Sequence, residues 1–283
     1  MTVAFAVLAA FANAVVVVTQ HTASTSAPEG TTGLRLVGYL FRNPLWLLGW
    51  IALIAAFVFQ ALALHNGELS VVQPLLVIEL VFALVLRQLW LRQSIAVAAW
   101  ASAAVICAGL AVFVATAEPH GGGTTPSSAD WVGVVVACGG AAAILAVLAQ
   151  RGSPIWRAAL FGTAAAIVWA LEATFIKTAT DTITQHGIGG AFEHWPLYAM
   201  AVGGIAGVVL EQAALHVGPI SVSQPLMVIV DPVVSIGLGV WLFREQFTHD
   251  PLVLAVAAVS FVAVGIGVVG LVRTAPETVG QPT

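Results

Sequence analysis

Nine uninterrupted apolar runs, each of roughly twenty residues, constrain the fold of this chain more than any other feature. A helix of that length crosses about 30 Å of hydrocarbon. The runs lack the alternation of polar and apolar residues that marks a transmembrane β-strand, which favours helices over a barrel. The sequence therefore predicts an all-α polytopic membrane protein with about nine transmembrane helices, over residues 2–19, 44–64, 69–90, 94–116, 131–149, 155–178, 196–215, 219–242 and 251–272.

Composition supports this class and excludes others. Charged residues form 8% of the 283 residues and apolar residues 60%, whereas about a quarter of a soluble domain is charged. The expected partner is therefore the lipid bilayer, and a net charge of −4 argues against nucleic acid. A G-x-G-x-x-G match at residues 265–270 lies inside an apolar run, where small residues serve close helix packing, as we also expect for Gly203 and Gly207. We expect no cofactor and no enzyme activity, because no nucleophile–base arrangement is recognisable.

Basic residues set the expected orientation. If the N-terminus lies outside, only Lys177 and Arg244 face the outside. Seven arginines then face the cytoplasm, namely Arg35, Arg42, Arg87, Arg92, Arg151, Arg157 and Arg273. We therefore expect a multi-pass protein of the bacterial inner membrane, with its N-terminus outside and its C-terminus in the cytoplasm.

A sixteen-residue segment occurs twice in the chain. Residues 63–78 (ALHNGELSVVQPLLVI) and 214–229 (ALHVGPISVSQPLMVI) lie 151 positions apart (214 − 63 = 151) and are identical at eleven positions. The copies fall on spans two and three and on spans seven and eight. A shift of five spans reverses the direction of threading, so the sequence predicts an inverted repeat. The expected organisation is a first half at 1–117, a linker with span five at 118–150, a second half at 151–273 and a flexible tail at 274–283.

Acidic residues inside the spans are the first candidates for a functional site. Each of them costs about 2.5–3.5 kcal/mol at the centre of a bilayer. Without a basic partner such a carboxyl must be protonated, hydrated or neutralised by a bound cation, and each of these indicates a solute pathway. The candidates near the span centres are Glu79, Glu172 and Asp231, while Glu211 and its repeat counterpart Gln60 are candidate gate residues. For each acid the alternative is a side chain that local groups satisfy.

Two glutamine–proline pairs occupy equivalent places in the repeat. Gln73 and Gln224 each precede a proline near the start of a span. Proline removes a backbone donor and frees a carbonyl one turn earlier, which together with the amide can coordinate a solute. Asp231-Pro232 is expected to add a second break to span eight. A kinked but purely structural helix is the alternative, and the symmetric His65 and His216 are assigned to the interface rather than to a metal site.

The repeat and its motifs resemble the drug/metabolite transporter (DMT) superfamily, which includes EamA-like proteins, and within it the NIPA-like magnesium transporters. The resemblance lies in LWLLG at 45–49, AL at 63–64, VQPL at 72–75, EQAAL at 211–215 and Pro225. It implies an inverted-repeat fold, with nine spans in the NIPA-like branch, and transport of a cation such as Mg²⁺.

The preferred hypothesis is a secondary transporter that moves a small cation or a small metabolite by alternating access. Glu79, Glu172, Asp231, Gln73 and Gln224 would line its binding site. The alternatives are a proton-coupled exporter of a neutral or lipophilic metabolite and a non-transporting membrane scaffold of the same fold. The sequence leaves a homodimer and the identity of any bound metal open.

Overall fold

The chain folds entirely into helices over the residues that the computed structural model describes, namely 1–25, 43–92, 94–117, 119–121, 125–248 and 250–274, and no strand occurs in these ranges. Within these ranges the helices are α1 (Thr2–Thr25), α2 (Pro44–Asn66), α3 (Leu69–Leu76), α4 (Glu79–Leu89), α5 (Val97–Ala117), α6 (Ser128–Leu148), α7 (Pro154–Ala191), α8 (Trp195–Val217), α9 (Ile220–Phe243) and α10 (Pro251–Thr274).

Nine segments of the described residues are long and apolar enough to cross a membrane, with α3 and α4 together forming one of them. Large apolar side chains point outward from these helices, and Ile51, Val136 and Val259 are 65%, 66% and 69% exposed. Such a surface is stable against lipid and costly in water. The predicted all-helical class and the number of candidate spans are confirmed, and both fit a multi-pass membrane protein.

The helices fall into two compact units. The described residues of Met1–Asn66 and Leu75–Ile95 form unit 1, and those of Gly67–Pro74 and Ala96–Thr283 form unit 2. In unit 1, α1 packs against α2 and α4. A Cβ at Gly49 of α2 would lie 2.8 Å from Thr19 Oγ1 of α1, and the rings of Phe11 and Phe82 meet edge to face at 5.5 Å. The predicted repeat halves do not coincide with these units and stay a prediction.

In unit 2, α7 packs against α6, α8 and α9, while α5 packs against α10. Small residues permit the α5–α10 contact, because a Cβ at Gly109 would lie 2.8 Å from the carbonyl oxygen of Ser260. A Cβ at Gly267 would likewise lie 3.0 Å from the carbonyl oxygen of Ser102. The interpretation of residues 265–270 as a packing motif is therefore confirmed.

Helical structure in α7 continues thirteen residues beyond the predicted end of the span (191 − 178 = 13), with a kink at Gly187. The additional turns after residue 178 are rich in threonine, and the apolar run that predicts the span ends where these turns begin. Four threonine hydroxyls donate to the carbonyl four residues earlier, at 2.7–3.0 Å, in Thr178, Thr180, Thr182 and Thr184. These hydroxyls are satisfied within the helix, so the threonines can be accommodated there past the apolar run.

The prolines do not interrupt the helices where the sequence analysis expected. Helix α9 continues through Pro225 and Pro232, so the break expected at Asp231-Pro232 is absent. In the first copy Pro74 lies inside α3, and the helix stops only at Val77 and Ile78, directly before Glu79. A proline removes a single backbone bond, which the rest of a long helix tolerates when neighbouring helices support it.

Several predictions concern residues outside the described ranges. These are Arg35 and Arg42 of the orientation argument, residues 118 and 122–124 of the predicted linker, and the predicted tail except for Thr274.

Candidate functional site

The structure distributes the predicted site residues over both units. Gln60 of α2 and Glu79 of α4 belong to unit 1, where Glu79 occupies the first turn of its helix. An acid is stabilised there by the helix dipole. The five residues of unit 2 are Gln73, Glu172, Glu211, Gln224 and Asp231. Two of these, Glu172 and Glu211, lie on the same α7–α8 interface.

Glu172 is a buried carboxyl on the face of α7 that packs against α8. It is 6% exposed, and its Oε2 has no hydrogen-bond partner among the described residues. A Cβ at Gly203 would overlap this oxygen, and a Cβ at Gly204 would lie 3.6 Å from Oε1. The two glycines of α8 thus provide the space that the carboxyl occupies. A buried carboxyl oxygen without a partner within the chain needs a proton, a water molecule or a cation from outside the chain.

Glu211 is tied to the same interface through Trp169. The indole Nε1 of Trp169 donates to Glu211 Oε2 at 3.1 Å. A Cβ at Gly207 would lie 2.9 Å from the Trp169 ring, so the predicted packing role of Gly203 and Gly207 is confirmed. Trp169 and Glu172 are three residues apart on α7 and therefore share one face of the helix. The gate role of Glu211 stays a prediction.

The repeated motif places further polar atoms in apolar surroundings. Gln73 is 3% exposed, and its Nε2 has no hydrogen-bond partner in the described part of the chain. In the second copy the buried atom without a partner is instead Oγ of Ser223, next to the partly buried Gln224. A Cβ at Gly162 of α7 would lie 3.1 Å from the carbonyl oxygen of Ser223. The second copy of the motif therefore packs directly against α7.

Asp231 lies one turn before Ser235 on α9 and has one local hydrogen-bond partner. The Ser235 hydroxyl donates to Asp231 Oδ1 at 3.1 Å. The convergence of Asp231 and Gln224 with Glu172 on one cavity stays a prediction. No group of three His, Cys, Asp or Glu side chains within the described ranges is arranged to hold a metal ion.

A buried ionic cluster, which was not predicted from the sequence, comprises Gly67, Leu69, Ser70, Lys177 and Glu245. The Glu245 carboxylate accepts the backbone N–H groups of Leu69 at 2.7 Å and Ser70 at 3.1 Å, and the Ser70 hydroxyl in a short contact. Glu245 is 1% exposed. Through these hydrogen bonds its carboxylate caps the N-terminus of α3 from a distant part of the chain. No local pattern in the sequence predicts this contact, because Glu245 follows a span and resembles an ordinary acidic residue of a loop.

Lys177, the single lysine of the sequence, completes the ionic cluster from α7. Its Nζ donates to the carbonyl oxygen of Gly67 at 2.6 Å and lies 5.5 Å from the centroid of the Phe243 ring. Lys177 is 5% exposed and interacts electrostatically with Asp181, Glu245 and Glu68. The ionic cluster therefore joins α7, the turn before α3 and the chain segment after α9.

The two turns of the repeat contact α7 at two well-separated positions. The turn at Gly67 meets Lys177. The equivalent turn at Gly218 meets the start of α7, where a Cβ would overlap the Pro154 carbonyl oxygen and lie 2.8 Å from the Ala158 Cβ. Ala158 and Lys177 are 19 residues apart (177 − 158 = 19), which corresponds to about 28 Å along a helix. That distance is close to the thickness of the hydrocarbon layer.

Comparison with known proteins identifies a relative of the same length. The chain is 24% identical over 285 residues to an uncharacterized protein of Corynebacterium glutamicum, and the match covers 98% of this chain and 97% of that protein. No family model matches the chain. No solved structure matches it either.

Proposed function

We propose that this chain is a secondary transporter of the DMT superfamily type, which moves a small cation, with Mg²⁺ as a candidate, or a small metabolite by alternating access. The observation that carries the proposal is Glu172. Its carboxyl lies inside a membrane-length helix, is 6% exposed and has an oxygen without a partner among the described residues. A cell membrane protein keeps such a group where it exchanges a proton or a cation.

The inverted repeat is part of the proposal, and the contacts along α7 support it. Two copies of one motif that thread the bilayer in opposite directions must place their turns on opposite faces. The contacts of Gly67 with Lys177 and of Gly218 with Pro154 agree with this arrangement. In the proposed orientation, Gly67, Lys177 and Glu245 lie at the outer face of the inner membrane. The ionic cluster would then hold the outer end closed while the inner end opens.

The test is flux into vesicles reconstituted with the full chain, with Glu172→Gln as the variant. Glutamine keeps the size of the side chain and removes the charge and the exchangeable proton. Glu193→Gln is the matched control, because Glu193 is an exposed residue after the end of α7. Flux of Mg²⁺, organic amines, amino acids and nucleosides is measured with and without a pH gradient.

We expect at least one solute to cross faster than in empty vesicles, and Glu172→Gln to reduce that flux at least about tenfold while Glu193→Gln leaves it unchanged. Equal flux in the Glu172→Gln variant and the wild type would remove Glu172 from the mechanism. Flux that depends on the pH gradient but not on the charge of the solute would favour the proton-coupled exporter. No flux above empty vesicles for any solute of the panel would contradict transport.

A further inference from the structure

Two histidines meet where α7 turns into α8. The rings of His186 and His194 lie 4.5 Å apart between centroids, with 37° between their planes. Gly187 interrupts α7 between them with φ 73° and ψ 169°, a conformation that favours glycine. A Cβ at Gly190 would lie 2.9 Å from the His186 Cβ. The chain therefore uses two glycines to bring the imidazoles together.

In the neutral form of both rings, backbone contacts favour one tautomer. His186 Nδ1 lies 3.3 Å from the carbonyl oxygen of Thr182, and His194 Nδ1 lies 2.9 Å from that of Gly190. Because a carbonyl oxygen only accepts, each Nδ1 carries the hydrogen and donates it. Nε2 of each ring is then the nitrogen with a free lone pair. Histidines that bind metals in proteins commonly show this pattern, with one ring nitrogen held by a carbonyl and the other on the metal.

We propose that His186 and His194 form a binding site for a borderline divalent transition metal of the Zn²⁺ class. Imidazole nitrogen suits Zn²⁺, Ni²⁺ and Cu²⁺, whereas Mg²⁺ prefers oxygen ligands. Two nitrogens at about 2.0–2.1 Å from one tetrahedral ion are about 3.4 Å apart, and the ring centroids of His186 and His194 lie 4.5 Å apart, which is close enough for both rings to reach one ion. The described residues supply no third ligand. Water then completes the coordination, and the ion exchanges readily.

The site is separate from the one proposed for transport. Glu172 lies fourteen residues before His186 on α7 (186 − 172 = 14), about 21 Å along a helix. Its ligand chemistry also differs, since it offers nitrogen rather than oxygen. Zn²⁺ affinity should therefore be the same in the Glu172→Gln variant and in the wild type.

The test is calorimetric titration of Zn²⁺ into the purified full chain without an oligohistidine tag. The variants are His186→Asn and His194→Asn, and the matched control is His216→Asn, an exposed histidine at the end of α8. Loss of an outer-shell partner of a metal ligand weakens binding about tenfold. Each site variant removes a ligand itself and should weaken Zn²⁺ binding by more than that, whereas the control should not change it. Gly190→Ala should weaken binding with both histidines present, because the added Cβ displaces His186.

A spectroscopic measurement gives a readout that does not depend on affinity. The electron paramagnetic resonance spectrum of bound Cu²⁺ should show two nitrogen ligands in the wild type and one in each site variant. Zn²⁺ affinity that is unchanged in both His186→Asn and His194→Asn would overturn the proposal. An equal loss in His216→Asn, or a Cu²⁺ spectrum that is the same in all proteins, would show scattered surface binding and overturn it as well.

Discussion

Removing the Glu245 side chain should destabilise the protein strongly, although the residue follows the end of a span. In Glu245→Ala the backbone N–H groups of Leu69 and Ser70 lose their acceptor, while the Ser70 hydroxyl can rotate to another one. Each buried donor left without a partner costs about 1–3 kcal/mol, so two donors cost about 4 kcal/mol. Lys177 also loses an acidic neighbour. In Glu245→Gln one acceptor oxygen remains, and we expect about half that loss.

The assay is thermal unfolding of the detergent-solubilised protein, followed by tryptophan fluorescence. A loss of 1 kcal/mol lowers the melting temperature of a protein of this size by about 2–4 °C, so Glu245→Ala should melt about 8–16 °C below the wild type. Glu193→Gln, which changes an exposed acid, is the control and should melt with the wild type. A melting temperature of Glu245→Ala within about 2 °C of the wild type would refute the capping role of this carboxylate.

Two further predictions concern close packing and backbone strain. Gly203→Ala should lower stability by about 1–3 kcal/mol and reduce flux, because its Cβ overlaps the Glu172 carboxylate. The control Gly237→Ala has no atom within 4 Å of its Cβ and should melt at or slightly above the wild-type temperature. An equal loss of stability in both variants would contradict the packing at Glu172. Arg244→Gly should be about 1–2 kcal/mol more stable than Arg244→Ala, because residue 244 has φ 59°, a left-handed conformation that strains alanine but not glycine. Both variants lose the ion pair with Asp130, so that loss does not contribute to the difference between them. Equal melting temperatures would contradict strain at this position.

The sequence predicted those parts of the fold that depend on hydropathy along the chain. The apolar runs predict nine candidate spans, and the structure confirms them in its described residues. The small residues predict close helix packing, which the structure confirms at Gly203, Gly207 and the glycines of 265–270. The end of α7 could not be predicted from hydropathy, because threonines whose hydroxyls are satisfied within the helix extend it beyond the apolar run. The expected break at Pro232 was wrong because a long packed helix tolerates the loss of one backbone bond.

The candidate site was only partly predictable, because burial and pairing depend on contacts between distant residues. The sequence drew attention to Glu172 through its charge inside an apolar run, and the structure adds the glycines of α8 that make space for it. Lys177 and Glu245 were missed because each stands beside polar residues at the end of a span. Only the folded chain brings them to the turn between α2 and α3.

The inverted repeat is tested most directly by finding the side of the membrane on which each repeat turn lies. In a chain whose Cys107 and Cys138 are replaced by alanine, a single cysteine is introduced as His65→Cys or His216→Cys, at equivalent and exposed positions of the two copies. A membrane-impermeant maleimide is then applied to intact cells and to permeabilised cells. We predict that His65→Cys reacts in intact cells, whereas His216→Cys reacts only after permeabilisation. Labelling of both positions from the same side would contradict the inverted repeat and, with it, the transport mechanism built on it.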